Sequence, residues 1–356
     1  MTYKTISLSA IAVAVMMSTS IQAKEACQTS YYLPAWDHQA PTVDAYNFVR
    51  AETDMQMKGY STAPFKFGQF THGRKAYDVE HQVTLSGNRD TIYSFGVFDL
   101  SKSDLTITLP DSKGNYMTLM PISQNHDVYR GLNAPGTYTF KQSDAGTRYM
   151  VFVIRVLMDP NDPKDMKRAH KLQDGVVVTQ KDKGDASGLK EWDEKSMLSM
   201  RKAYNILGSA ATSSANFFGV KCDRSNLDAA MGVAVGWGGM QRKDALYLPT
   251  QVEKNDGKTA YTITVPKEVP VDGFWSVTIY NQERFMVPNE YNSYSLNSLT
   301  TKKNADGTRT IHLGGDPKAE NYLYLPEDWL YIVRFYQPRE EILNGTWAFP
   351  KAVEAK

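Results

Sequence analysis

Residues 274–280 read Phe274-Trp275-Ser276-Val277-Thr278-Ile279-Tyr280, a run made almost entirely of aromatic and β-branched side chains. Such side chains fit the pleated surface of a sheet and predict a strand. A second run, Met150-Val151-Phe152-Val153-Ile154, is apolar without alternation, which is typical of a strand covered on both faces. Together the two runs indicate a mainly β protein.

Period-two patterns extend the strand prediction outward from both runs. Leu105 and Ile107 alternate with threonines in the first half of the chain, and residues 261–265 alternate in the second half. Residues 294–301 and 308–313 flank a turn that contains glycine, and this spacing predicts that they pair as a hairpin. The chain therefore carries two β-rich parts.

The middle of the chain has a helical pattern. Residues 189–207 and 227–237 are each predicted to form a helix, and a flanking helix is predicted over 41–60. The predicted organisation is a signal peptide at 1–23, an N-terminal β domain at 24–185, a helical connector at 186–240 and a C-terminal β domain at 241–356.

Composition excludes one broad class of function. The chain has 356 residues, of which 42% are hydrophobic, so it can bury a large core and form two domains. Its 40 Lys and Arg residues nearly balance 39 Asp and Glu residues. This balance gives no electrostatic basis for general binding to nucleic acid.

The first 23 residues resemble a secretory signal peptide. They contain Lys4, no acidic residue, an apolar run over 6–17 and small residues leading to Ala23. We therefore predict cleavage after Ala23 and a periplasmic or secreted location. No later stretch is long and apolar enough to span a bilayer, so no membrane span is predicted.

The cysteine and histidine content argues against metal and redox chemistry. The two cysteines, Cys27 and Cys222, either form a disulfide in an oxidising compartment or remain separate thiols. The six histidines include no H-E-x-x-H pair, and no nucleophile elbow, P-loop or dinucleotide-binding glycine pattern is present. The sequence thus predicts no metal and no cofactor.

Two arginines interrupt strands that otherwise appear buried by composition. They lie in Val153-Ile154-Arg155-Val156 and in Ile332-Val333-Arg334-Phe335. A buried guanidinium needs a carboxylate, a set of carbonyl groups or a bound anion, so each arginine is either structurally paired or part of a ligand site. The similarity of the two segments has two interpretations, duplicated domains or coincidence.

The densest polar constellation beside a strand is Asn88-Arg89-Asp90-Thr91-Ile92-Tyr93-Ser94. If Thr91 begins the strand, Asp90 lies at the N-terminal end of that strand, where it could orient a hydroxylated ligand or act as an acid or base. The alternative is an Asx turn that only starts the strand.

This constellation resembles the N-x-D-T-x-Y-S motif of the DUF1254 family. Residues 270–280, 333–338 and 345–350 resemble the DUF1214 family, and both families are found in exported bacterial proteins. The resemblance implies two β-sandwich or jelly-roll domains with helices between them, and it implies no particular reaction. Residues 291–295 and 321–325 depart from the family pattern.

The functional expectation is an exported protein that binds a small ligand or takes part in assembly, with homo-oligomerisation left open. The candidate ligand-binding residues are Asn88, Asp90, Tyr93, Arg155, Trp275 and Arg334. The alternative is a hydrolase that acts on a carbohydrate or an ester, with Asp90 and Tyr93 in its site.

Overall fold

The computed structural model describes residues 42–82, 85–211 and 213–355. Within these ranges the chain forms 16 strands and six α-helices, so the predicted mainly β class is confirmed. None of the helices in the described ranges is long and apolar enough to cross a membrane. The predicted signal peptide and Cys27 lie outside the described residues.

Eight strands form a two-layer N-terminal sandwich. They are β1 Thr71–His72, β2 Thr91–Asp99, β3 Leu105–Leu109, β4 Met117–Ser123, β5 Leu132–Asn133, β6 Gly136–Phe140, β7 Tyr149–Leu157 and β8 Val177–Gln180. One sheet has the order β1-β2-β7-β4-β5 and the other β6-β3-β8. Ile92, Leu105 and Phe152 belong to the apolar core between the two sheets.

Of the six helices in the described ranges, two lie between the two sandwiches in the chain. The six are α1 Phe48–Gly59, α2 Gln142–Ala145, α3 Pro163–Asp174, α4 Glu194–Ala210, α5 Asn226–Gly236 and α6 Glu340–Leu343, with a 3₁₀ turn at Lys221–Asp223. Asp193 caps α4, and Ser225 forms a capping box with Asp228 at the start of α5. Residues of α1, α4 and α5 share one apolar cluster, which contains Phe48 and Met197.

Eight further strands form a C-terminal sandwich. They are β9 Ala245–Thr250, β10 Tyr261–Val265, β11 Trp275–Tyr280, β12 Ser295–Asn297, β13 Arg309–Leu313, β14 Tyr322–Leu323, β15 Leu330–Tyr336 and β16 Val353–Glu354. The sheets have the orders β12-β11-β15-β9 and β14-β13-β10-β16. The hairpin prediction was wrong, because β12 pairs with β11 in one sheet while β13 pairs with β10 in the other.

The two sandwiches repeat one topology. Across the sheets, the strand order β2-β7-β4-β5 corresponds to β9-β15-β11-β12, and β6-β3-β8 corresponds to β13-β10-β16. Arg155 lies opposite Tyr93 on β2 and Thr118 on β4, while Arg334 lies opposite Tyr247 on β9 and a serine on β11. The matched strand order and arginine positions favour duplicated domains over coincidence.

The sandwiches pack against each other through the outer faces of two sheets, β1-β2-β7-β4-β5 and β12-β11-β15-β9. Successive side chains of a strand point to opposite faces, so Val153 and Arg155 of β7 point away from the core that contains Phe152. Val153 shares an apolar cluster with Tyr336 of β15. We call this contact between the two outer faces the junction.

Candidate functional site

Asn88 links the two sandwiches at the junction. Its side-chain Nδ2 donates to the hydroxyl oxygens of Tyr93 at 3.0 Å, of Tyr336 at 2.9 Å and of Thr91 at 3.2 Å. Its Oδ1 accepts from the backbone N–H of Asp90 at 2.8 Å, which is the Asx-type contact that leads into β2. Asn88 therefore both starts the strand and joins the domains.

Asp90 is a buried carboxylate with one oxygen in use. Its side chain accepts at Oδ1 from Ser295 Oγ at 2.9 Å and from Asn297 Nδ2 at 3.1 Å. The residue is only 1% exposed, and its Oδ2 has no hydrogen-bond partner among the described residues. Because a buried carboxylate oxygen without a donor is costly, this atom favours a ligand that carries one.

Arg334 is held by oxygen atoms that carry no formal charge. Its guanidinium donates to Thr278 Oγ1 at 2.9 Å, to the Ser86 carbonyl at 2.8 Å and to Tyr280 Oη at 2.5 Å. The side chain is buried and forms no ion pair with a described carboxylate. Of the partners expected from the sequence, the carbonyl is present and the carboxylate is absent within the described ranges.

Arg155 is held more sparsely than Arg334. Its guanidinium donates to the Gly238 carbonyl at 3.2 Å and approaches Met120 Sδ at 3.5 Å, and it lies 5.2 Å from the centre of the Tyr93 ring. It too forms no ion pair with a described carboxylate. Its charge is stabilised chiefly by ring faces and backbone, as in a cation–π contact.

The tyrosine hydroxyls around the two arginines remain protonated at neutral pH. Burial raises the pKa of Tyr247 and Tyr336 above the ordinary value. Burial also raises the pKa of Tyr60 to about 12, against the opposing effect of the Arg155 charge. These hydroxyls can therefore act as hydrogen-bond donors as well as acceptors.

A polar cavity of about 110 Å³ lies beside Asp90 and is lined by both sandwiches. The N-terminal part contributes Arg89, Asp90 and Asp159, and the C-terminal sandwich contributes the segment around Ser295 and Asn297. The guanidinium of Arg89 lies 5.1 Å from the centre of a ring in that segment, that of Tyr294. We call this space the Asp90 cavity.

The candidate residues do not all reach this junction. The structure brings Asn88, Asp90, Tyr93, Arg155 and Arg334 to it. Trp275 lies on the opposite face of β11, in the C-terminal core, where its ring centre is 5.7 Å from that of Phe349 and 5.8 Å from the Arg309 guanidinium. The sheet itself separates Trp275 from the junction, so we do not retain it as a site residue.

Several residues of the junction were missing from the sequence-based set. They are Tyr247, Tyr280, Ser295, Asn297 and Tyr336. Tyr336 could have been found, because it follows Arg334 at the two-residue spacing that keeps side chains on one face. Ser295 lies at the end of residues 291–295, where the sequence departs from the DUF1214 pattern.

No cluster of three metal-ligating side chains from His, Cys, Asp and Glu occurs among the residues that the structure describes.

Family models match one segment in each half of the chain. Residues 67–143 match the model for a protein of unknown function termed DUF1254, and residues 244–340 match the model for a protein of unknown function termed DUF1214. The matched ranges contain Asn88, Asp90, Tyr93 and Arg334. Arg155 lies beyond the first range.

One solved structure shares the fold of this chain. The chain is 18% identical to the VPA0106 protein from Vibrio parahaemolyticus, with a TM-score of 0.63, over 88% of this chain and 98% of that one. An uncharacterised protein from Burkholderia cenocepacia is 12% identical, with a TM-score of 0.49, over 96% of both chains. No curated protein matches the sequence.

Proposed function

We propose that the chain is an exported protein that binds a small hydroxylated ligand beside Asp90. Two features support this proposal: the chain joins a DUF1254 domain to a DUF1214 domain, and both domains line one polar cavity. Asn88, Tyr93, Arg155 and Arg334 then hold the two domains around the cavity, while Asp90 contacts the ligand.

The unpartnered Oδ2 of Asp90 is the observation that carries this proposal. Ser295 and Asn297 occupy the other oxygen, so the carboxylate is already fixed in direction before any ligand arrives. A ligand hydroxyl that donates to Oδ2 would form a charge-assisted hydrogen bond in a buried setting. Such preorganisation limits the entropy that binding must offset.

The size and lining of the Asp90 cavity indicate a polyol or one edge of a sugar. A volume of about 110 Å³ has room for several water molecules or for a small polar ligand. Asn161, Asn292 and Thr300 also line the cavity and offer donors and acceptors for further hydroxyl groups. Tyr294 adds an aromatic side chain to the lining.

A thermal-shift series tests the binding proposal. Glycerol, erythritol and common monosaccharides are added to the wild type, to Asp90→Asn and to the control Asp111→Asn, whose carboxylate pairs with Lys113 on the surface. We expect one of these compounds to raise the Tm of the wild type and of the control but not that of Asp90→Asn. An equal shift in Asp90→Asn, or no shift with any hydroxylated compound, contradicts the proposal.

The proposal of export rests on the pattern of residues 1–23. The mass of the protein recovered from its native host or from a bacterial expression host measures it directly. We expect a mature chain that begins at Lys24 and fractionates with the periplasm or the medium. An intact chain that retains Met1 in the cytosolic fraction contradicts export and leaves the ligand proposal to its own test.

A hydrolase is the second candidate, and one observation favours it. Asp159 lines the same cavity as Asp90, so two carboxylates face one space, as in glycoside hydrolysis. Tyr93, expected to act with Asp90, does not line the cavity. If this candidate is correct, 4-nitrophenyl glycosides or esters are turned over, and the folded variants Asp90→Asn and Asp159→Asn lose that turnover. Binding without turnover favours the first function.

A further inference from the structure

A cavity of about 840 Å³ lies away from Asp90, where three parts of the molecule meet. The N-terminal sandwich supplies the region from Pro121 to Met150, the connector supplies the segment around Phe218, and the C-terminal part supplies Arg242, Lys243 and α6. We propose that this cavity binds an anionic amphiphile, a molecule with an apolar tail and a single negative head group.

The wall of the cavity is apolar and firmly placed. Leu132, Phe140 and Met150 line it from the N-terminal sandwich, and each belongs to the core of that sandwich or packs against it. Phe218 lines it from the connector. A Cβ atom at Gly239 would lie 2.4 Å from the Phe218 ring, so the absence of a side chain at Gly239 allows the ring to pack against the backbone there.

The rim carries two neighbouring cations whose charge is not paired. Arg130 forms an ion pair with Asp244, and Lys141 lies 3.9 Å from Asp104. In contrast, Arg242 donates only to the Leu343 carbonyl, at 2.6 Å, and neither Arg242 nor Lys243 forms an ion pair within the described ranges. These two side chains can bind a carboxylate or sulfonate head group.

Acidic side chains on the rim restrict the charge of the ligand. Asp144, Asp223 and Glu340 also line the cavity. They would repel a head group with several negative charges, whereas one carboxylate can be accommodated at Arg242 and Lys243. The volume falls within the roughly 300 to 1,000 Å³ of pockets that enclose a drug-sized molecule. A fatty acid of medium length has both required properties.

Titration calorimetry with octanoate, decanoate and dodecanoate, below their micellar concentrations, tests this site in the full mature protein. We expect the affinity to rise roughly threefold to fourfold for each added methylene group that enters the cavity. We also expect dodecyltrimethylammonium, which has the same tail and a positive head, to bind at least about tenfold more weakly than dodecanoate, a difference of ~1.4 kcal/mol.

Paired variants identify the head-group site. Arg242→Gln combined with Lys243→Gln should weaken dodecanoate binding at least about tenfold, or ~1.4 kcal/mol. The control, Lys318→Gln combined with Lys351→Gln, changes two exposed lysines outside the cavity lining and should bind as the wild type does. Equal binding of both heads, unchanged binding in the rim variant, or no binding of any fatty acid would overturn the proposal. Asp90→Asn should keep dodecanoate affinity, which separates this site from the Asp90 cavity.

Discussion

The side-chain amide of Asn88 donates to the hydroxyl of Tyr336 at 2.9 Å, and this bond crosses from one sandwich to the other. The same amide also donates to Tyr93, so a single side chain holds phenols from both domains. Because Asn88 Oδ1 accepts from the backbone of Asp90, the contact between domains and the position of the candidate ligand-binding carboxylate are coupled.

Replacing Asn88 with alanine should destabilise the whole chain. The change leaves the Tyr336 hydroxyl and the Asp90 N–H without their present partners, and each loss costs about 1 to 3 kcal/mol when the group stays buried. We expect the free energy of unfolding in urea to fall by roughly 2 to 4 kcal/mol. Asn205→Ala, at a half-buried position without a side-chain hydrogen bond to a described residue, should change it little. Equal effects of the two variants would contradict the linking role of Asn88.

Replacing Arg334 with leucine should weaken the junction and affect the Asp90 cavity. The Ser86 carbonyl and the Thr278 hydroxyl lose their donor, so we expect a loss of about 2 to 4 kcal/mol in unfolding free energy. The exposed control Arg339→Leu breaks a surface ion pair with Asp272 and should cost less than about 1 kcal/mol. If Arg334→Leu keeps wild-type stability and wild-type polyol affinity, Arg334 has no role in shaping the site.

Reduction should lower the thermal stability of the protein. Cys222 is disulfide-bonded, and the only other cysteine in the sequence is Cys27, which lies outside the described residues. Closing so long a loop contributes roughly 4 to 5 kcal/mol in the chain-entropy model. We expect dithiothreitol to lower the Tm of the wild type but not that of Cys222→Ser, and non-reducing peptide mapping to join Cys222 to Cys27. A Tm that is insensitive to reductant would contradict this prediction.

Stability should fall as the pH is lowered through the range in which histidine titrates. Burial, together with the charge of Arg224, holds the pKa of His126 well below its ordinary value, and its Nε2 accepts from the Gly238 N–H at 3.1 Å. In the unfolded chain His126 therefore takes up a proton near pH 6.5, whereas in the folded chain it stays neutral at that pH. The free energy of unfolding falls below that pH as a result. Burial lowers the pKa of His72 in the same direction.

Urea unfolding at about pH 7.5 and about pH 5.5 measures this dependence, which cannot exceed ~1.4 kcal/mol per pH unit for one group. His126→Gln should reduce the slope between the two conditions, and adding His72→Gln should reduce it further. An unchanged slope in His126→Gln would assign the effect to other groups.

The fold class could be predicted because both patterns it needs are local. Alternation and β-branched runs indicate strands, and capping residues such as Ser225 mark helix starts. Strand partners are not local. The turn before Thr308 forms, with the backbone N–H of Asn304 donating to the Thr308 carbonyl, yet the strands on either side enter different sheets.

The position of Trp275 shows why the site was predicted only in part. Every residue of β11 is buried, because one face meets the C-terminal core and the other meets the junction. A strand covered on both faces shows no alternation, so the sequence cannot tell whether Trp275 faces the junction or whether Ser276 and Thr278, on the opposite face, do so. Arg155 and Arg334 were informative because a guanidinium among apolar residues stands out on either face.

The repeated strand order, with Arg155 and Arg334 at matched positions on sheets whose outer faces meet, resembles two copies of one sandwich joined in a single polypeptide. If the two sandwiches arose by duplication, each has been free to diverge from the other within one chain. Such divergence allows the two sandwiches to contribute different residues to one space, as they do at the Asp90 cavity.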